Sequence, residues 1–132
     1  KKIFRILKGR INNKKICFLG VTFKANTDDM RDSASLSMIP SLIKKGAIIN
    51  YFDPTGEKKE FKKFKNVNYS DNINSAIKDS DLIIIHTEWN DFKSINFKKE
   101  VINKKFAIFD MRNIYSPTKM AEQKIKYFAI GC

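Results

Sequence analysis

KICFLGVTFKANTDDMRDSASLSMIPSLIKKGAIINYFDP, residues 15–54, decides the fold. An apolar run from Ile16 to Leu19 stops at Gly20, and a polar loop of turn-forming and phosphate-binding side chains follows. An amphipathic stretch then leads through Gly46 into a second apolar run that closes on Asp53-Pro54. Two runs of strand length around a helical pattern make a strand–loop–helix–strand unit. In an open α/β sheet ligands sit just beyond the carboxyl ends of the strands. Lys24, Asp28, Asp29 and Arg31 fall there.

The rest of the chain repeats the alternation. Residues 1–13 carry Ile3, Phe4, Ile6 and Leu7 among basic residues and read as a short helix or the tail of a connecting helix from an upstream domain; residues 14–132 form the domain proper. The first strand covers 15–20, with Asp32 or Ser33 as an N-cap type for a helix over 34–45. Ala34, Met38 and Leu42, and Leu36, Ile39 and Ile43, recur at helical spacing. Pro40 should kink that helix or leave one carbonyl unpaired, and Gly46 suits its carboxyl end. A second strand spans 47–52. The Lys-rich 57–66 forms a surface helix or loop with Phe61 and Phe64 turned inward. A short strand at 67–69 leads to Asp71, capping a helix over 72–79. LIIIHT (82–87) is apolar enough to be covered on both faces. One helix within 91–103, a strand at 104–110 and a last strand near 125–130 complete the reading. The fold class is α/β: a doubly wound, mostly parallel, Rossmann-like sheet of about five to six strands flanked by helices.

Length and composition bound the rest. The 132 residues suit one core, and 42% hydrophobic content with 11 Phe argues against wholesale disorder. No apolar run approaches the ~20 residues of a membrane span, and no signal peptide is visible. Cys17 and Cys132 lie far apart in sequence and make no disulfide framework, which points to a reducing cytoplasm. The formal charge of +12 raises nucleic acid as a partner. Of the 26 basic residues, however, only Arg5, Arg10, Arg31 and Arg112 are arginines. The excess is lysine spread over solvated faces, so the arginines carry the information. Their planar fork grips carboxylate and phosphate in two places, as lysine cannot.

GVTFKANTDDMRDS (20–33) contains no G-x-G-x-x-G. A phosphate bound here must rely on side chains, with Lys24 and Arg31 giving charge and Asn26 and Thr27 giving hydrogen bonds. The same residues also suit a capped loop closed by surface ion pairs, with Arg31 held by Asp28, Asp29 or Asp32. His86, the sole histidine, sits at the end of a buried strand and reads as a structural imidazole before a catalytic base. One histidine and two distant cysteines provide no metal-ligand spacing. Trp89 and Phe92 read as packing before base stacking.

FKANTDDMRDS after a strand ending in LG, then KKGA and a strand ending in YFDP, resembles the carboxyl-terminal domain of the UDP-glucose/GDP-mannose dehydrogenase family. HTEWNDFKSIN (86–96) resembles the TEWN segment of its UDP-glucose members, and FDMRNIY (109–115) its D-x-R-N stretch. The likeness covers about 14–131. It implies that Phe23, Lys24 and Arg112 contact a UDP-sugar, and that Arg31 reaches an NAD bound mainly by an amino-terminal domain. It further implies partnership with that domain, a homodimer in the full enzyme, and oxidation of UDP-glucose to UDP-glucuronate by two hydride transfers.

The family's nucleophilic cysteine belongs to a glycine-rich motif ahead of this region, and no such motif occurs here. Cys17, inside an apolar strand, and the terminal Cys132 both lack the setting of a nucleophile. The fragment alone should therefore be catalytically silent, with no catalytic residue and no metal. The competing reading is a stand-alone basic α/β module that binds nucleic acid or another polyanion, with Lys and Phe alternating over 58–65.

Overall fold

The computed structural model describes residues 2–130. Six strands form one sheet: β1 (Lys15–Leu19), β2 (Ile48–Phe52), β3 (Val67–Tyr69), β4 (Leu82–Ile85), β5 (Ala107–Asp110) and β6 (Lys126–Ala129). Their order is β3-β2-β1-β4-β5-β6, and every pairing is parallel. Five helices cover it: α1 (Lys2–Ile6), α2 (Ser35–Lys44), α3 (Ile73–Ile77), α4 (Phe97–Glu100) and α5 (Pro117–Glu122). The chain winds outward from β1 to β3, returns to β4 beside β1, and winds out the other way. The order reverses between β1 and β4, the place where doubly wound sheets open a ligand crevice.

Strand side chains alternate between faces, and the core divides accordingly. Ile16 and Phe18 of β1, Leu82 and Ile84 of β4, and Phe109 of β5 pack on one face with Ile3, Ile39 and Leu42 from α1 and α2. Cys17, Leu19, Ile83, Ile85 and Ile108 pack on the other with Ala76, Ile77, Phe97 and Met120 from α3, α4 and α5. All four residues of β4 are wholly buried, as LIII suggests. Each such aliphatic side chain stabilises the fold by about 1.5–3 kcal/mol. No helix among the described residues is long and apolar enough to cross a membrane.

Several boundaries differ from the sequence reading, each for a local reason. Asp32 does not cap α2: it takes a positive φ of 62°, and the residue before the helix is Ala34, without a side-chain cap. Ser33, the other candidate, does the capping: its Oγ accepts from Ser35 N at 3.3 Å and donates to the Val21 carbonyl at 2.5 Å. α2 runs through Pro40 to Lys44, within the span read from the sequence. Asn72 rather than Asp71 caps α3, its side chain accepting from Ser75 N at 2.8 Å. β4 stops at Ile85 because His86 N and Thr87 N both turn to the Leu19 carbonyl, at 3.0 and 3.3 Å. The expected helix in 91–103 is a 3₁₀ turn at Asn90–Phe92 and the single-turn α4. A 3₁₀ turn at Lys59–Phe61 buries Phe61, as expected, and leaves Phe64 half-buried.

A candidate ligand site at the strand crossover

The site begins at Gly20. Its φ is +78°, and a Cβ placed there would lie 2.5 Å from Cβ of Thr87. Glycine alone therefore lets β1 turn out of the sheet beside the end of β4. The turn is anchored from β2: Gly20 N donates to Phe52 O at 2.8 Å, and Val21 N to a carboxylate oxygen of Asp53 at 2.9 Å. Asp53 is itself buried, and its other oxygen accepts from Thr55 N and Oγ1 at 2.9 and 2.5 Å.

Beyond Val21 the loop exposes side chains and ties down its backbone. Phe23 is 49% exposed and Lys24 is exposed. Three successive carbonyls meet side-chain donors. Thr87 Oγ1 donates to Thr22 O, Arg112 Nη2 to Phe23 O, and Thr22 Oγ1 to Lys24 O, each at 2.9 Å. Arg112 also donates through Nε to His86 O at 2.8 Å. One guanidinium thus spans from the loop after β5, across the end of β4, to the loop after β1. Three of its five N–H groups remain available to an anion.

Arg112 is held in turn. Asp110, fully buried at the end of β5, accepts from Arg112 N at 3.0 Å, from Tyr115 N at 3.1 Å and from the Tyr127 hydroxyl at 2.7 Å. The D-x-R-N stretch is thus a carboxylate-centred turn that aims an arginine. Tyr115 reaches back to the Phe92 carbonyl, and burial pushes its phenol pKa up.

His86 is 1% exposed, with Nδ1 3.1 Å from Thr87 Oγ1 and its ring against Phe18. Burial first, and the Arg112 charge second, lower its pKa to about 4, against smaller opposing pulls from Asp53 and the Gly20 backbone. It is a neutral imidazole at pH 7, shut off from solvent. Cys17 is wholly buried, and burial drives its thiol pKa up, which makes it unreactive. Cys132 lies outside the described residues. Trp89 packs in the second core as expected, though its buried Nε1–H has no hydrogen-bond partner among the described residues.

Arg31 stands apart. Its guanidinium makes a two-pronged contact with Asp29, Nη2 to Oδ2 at 2.9 Å and Nε to Oδ1 at 3.1 Å. This pair lowers the Asp29 pKa to about 2 and raises that of Arg31. The Arg31 side chain is 88% exposed. It borders an open cleft of about 590 Å³ between the loops after β1 and β2, which Lys58, Glu57, Asp28 and Leu36 also line. Phe23, Lys24 and Arg112 do not line that cleft, so the structure gathers these three at the crossover and leaves Arg31 to one side.

Sequence reasoning did not single out Thr22, Thr87, Asp53 or Asp110. Two signals were present: Asp53 and Asp110 are acids ending apolar runs, and Thr87 stands inside HTEWN.

The family described as UDP-glucose/GDP-mannose dehydrogenase family, UDP binding domain, matches residues 17–117. A UDP-glucose 6-dehydrogenase of Rickettsia felis is 37% identical over 98% of this chain and 30% of its own length. One from Rhizobium meliloti is 33% identical over 99% of this chain and 30% of its own. The chain thus spans about 30% of the length of the curated relatives it matches. The NDP-N-acetyl-D-galactosaminuronic acid dehydrogenase structure from Methanosarcina mazei Go1 superposes with a TM-score of 0.81 at 23% identity, over 98% of this chain and 27% of that one, a likeness of fold. With three quarters of its residues inside the family match and its motifs meeting at the sheet crossover, the chain belongs to the UDP-glucose/GDP-mannose dehydrogenase family.

Proposed function

We propose that the chain is the nucleotide-sugar-binding, carboxyl-terminal domain of an NAD-dependent UDP-glucose 6-dehydrogenase acting in the cytoplasm. The observation that carries the reading is the exposure of Phe23 and Lys24 on a pinned loop at the β1/β4 crossover, beside the open end of the Arg112 guanidinium. An aromatic face for a base or sugar, an ammonium and a guanidinium match a nucleoside diphosphate. The relatives named above support glucose as the sugar. Residues 1–13 would continue an upstream connecting helix, and the full enzyme would be a homodimer.

NAD does not fit the turn after β1. The Gly20, Val21 and Phe23 amides that could cradle a pyrophosphate are given to Phe52 O, Asp53 and Asp29 O. The dinucleotide would be held mainly by the upstream domain, with Arg31 as this chain's contact. Cys17 is too buried to be the nucleophile. We therefore expect the chain to bind UDP without oxidising UDP-glucose.

Calorimetric titration tests this. UDP should bind, Phe23→Ala and Lys24→Ala should each weaken it about ten-fold, the order of one lost stacking contact for the first and of one lost charge-assisted contact for the second, and no NADH should form with UDP-glucose and NAD. A folded chain that ignores millimolar UDP, or that binds single-stranded DNA more tightly than UDP, would overturn the reading.

A further inference from the structure

We propose that Thr87 and Arg112 are positioning residues that fix the backbone of the Phe23–Lys24 loop, and that they set UDP affinity through that loop; this rests on the reading above. A loop that offers side chains rather than amides to its ligand must hold its backbone by other means. Otherwise each binding event must order several residues, and the conformational entropy lost weakens the complex. Here the restraint is visible. The carbonyls of Thr22, Phe23 and Lys24 are each taken by a side chain, and none by a strand or helix ladder.

The donors come from three places in the chain. Thr87 lies 65 residues from its partner and Arg112 lies 89 from its own. Thr87 and Thr22 are both wholly buried, so their hydrogen bond is shielded from water. Arg112 links the two restraints, since its Nε takes the carbonyl of His86, the residue next to Thr87. Gly20 completes the device by leaving the volume that the Thr87 side chain fills. Lys24 meets the ligand, Thr87 only aims the loop, and Arg112 does both, holding two carbonyls while its remaining N–H groups face the ligand.

The test is UDP titration of this chain and its variants, with amide hydrogen exchange across 22–27. Thr87→Val keeps the shape but removes the donor. It should weaken UDP binding about ten-fold and speed exchange in the loop, while Thr87→Ser should stay within about three-fold of wild type. In a Lys24→Ala background, Thr87→Val should lose most of its effect, because residues acting through one another are not additive. Arg112→Lys, a change at the surface, gives the same exchange signature if Thr87→Val does not fold. UDP affinity and exchange left at wild-type values in both variants would overturn the proposal. An undiminished Thr87→Val effect in the Lys24→Ala background would overturn it too. If the folded wild type binds no UDP, the functional reading fails and this one with it. If Lys24→Ala abolishes binding while Thr87→Val and Arg112→Lys bind normally, only the positioning role fails.

Discussion

Arg112 and Arg31 both follow a strand on the ligand side of the sheet, and both carry the fork that suits a phosphate, yet their surroundings differ in kind. Arg112 lies over the crossover, where its donors meet the carbonyls of His86 and Phe23 and its backbone is fixed by the buried Asp110. Arg31 lies in water, folded onto a neighbouring carboxylate two residues away. The first connects three strand ends. The second closes one small turn. An arginine aimed at backbone carbonyls keeps its net charge available to an anion, whereas one paired with a carboxylate has that charge largely cancelled and must exchange partners to bind a phosphate.

The sharpest way to break this contrast is at Gly20. Gly20→Ala adds a Cβ in a left-handed backbone conformation and drives it against Thr87. Strain and overpacking together should destabilise the chain by about 4 kcal/mol, a fall in Tm of roughly 10–15 °C. A thermal melt near the wild-type value would show that the crossover is more forgiving than its packing implies.

A smaller effect should follow from pH. His86 has a folded pKa near 4, below its ordinary 6.5. Between these values the unfolded chain binds more protons than the folded one. The stabilisation is therefore full above about 6.5 and is lost as pH falls towards 4, on the order of 3 kcal/mol in all. Melts from pH 7.5 to 4 should show wild type losing more stability than His86→Gln. Parallel curves would mean that His86 is not held neutral beside Arg112.

The least effect on stability belongs to the outer pair. Arg31→Ala should leave Tm unchanged, because exposed ion pairs contribute little, while carbon-detected titration should show the Asp29 pKa rising from about 2 towards ordinary carboxylate values. In the full-length protein the same change should raise the apparent constant for NAD more than that for UDP-sugar. A clear drop in Tm, with both constants shifting together, would make Arg31 a loop-closing residue and nothing more.

Much of the fold could be read directly. An apolar run such as LIII, from Leu82 to Ile85, needs burial on both faces wherever it lies. An alternation of such runs with helical patterns admits few arrangements besides a parallel, doubly wound sheet. What misled were short-range polar choices. Asp71 and Asn72 are both capping types, and Asp32 and Ser33 likewise; which one serves depends on the local backbone, and it is Asn72 and Ser33 that accept from the first helical amides, Asp32 being turned to a positive φ.

The same distinction divides the site. From the sequence alone came the motifs, the strand ends on which they sit, and the possibility that Arg31 pairs with a nearby aspartate, since both partners lie in one turn. Only the tertiary structure could show what Arg112 holds and bring in Thr87 and Asp110. Their partners are 89, 65 and up to 17 residues away, and they come together because parallel strands in the order β1-β4-β5 bring their carboxyl ends side by side. Local chemistry is written along the chain, whereas a hydrogen bond between distant segments exists only once burial of the strands has set their register.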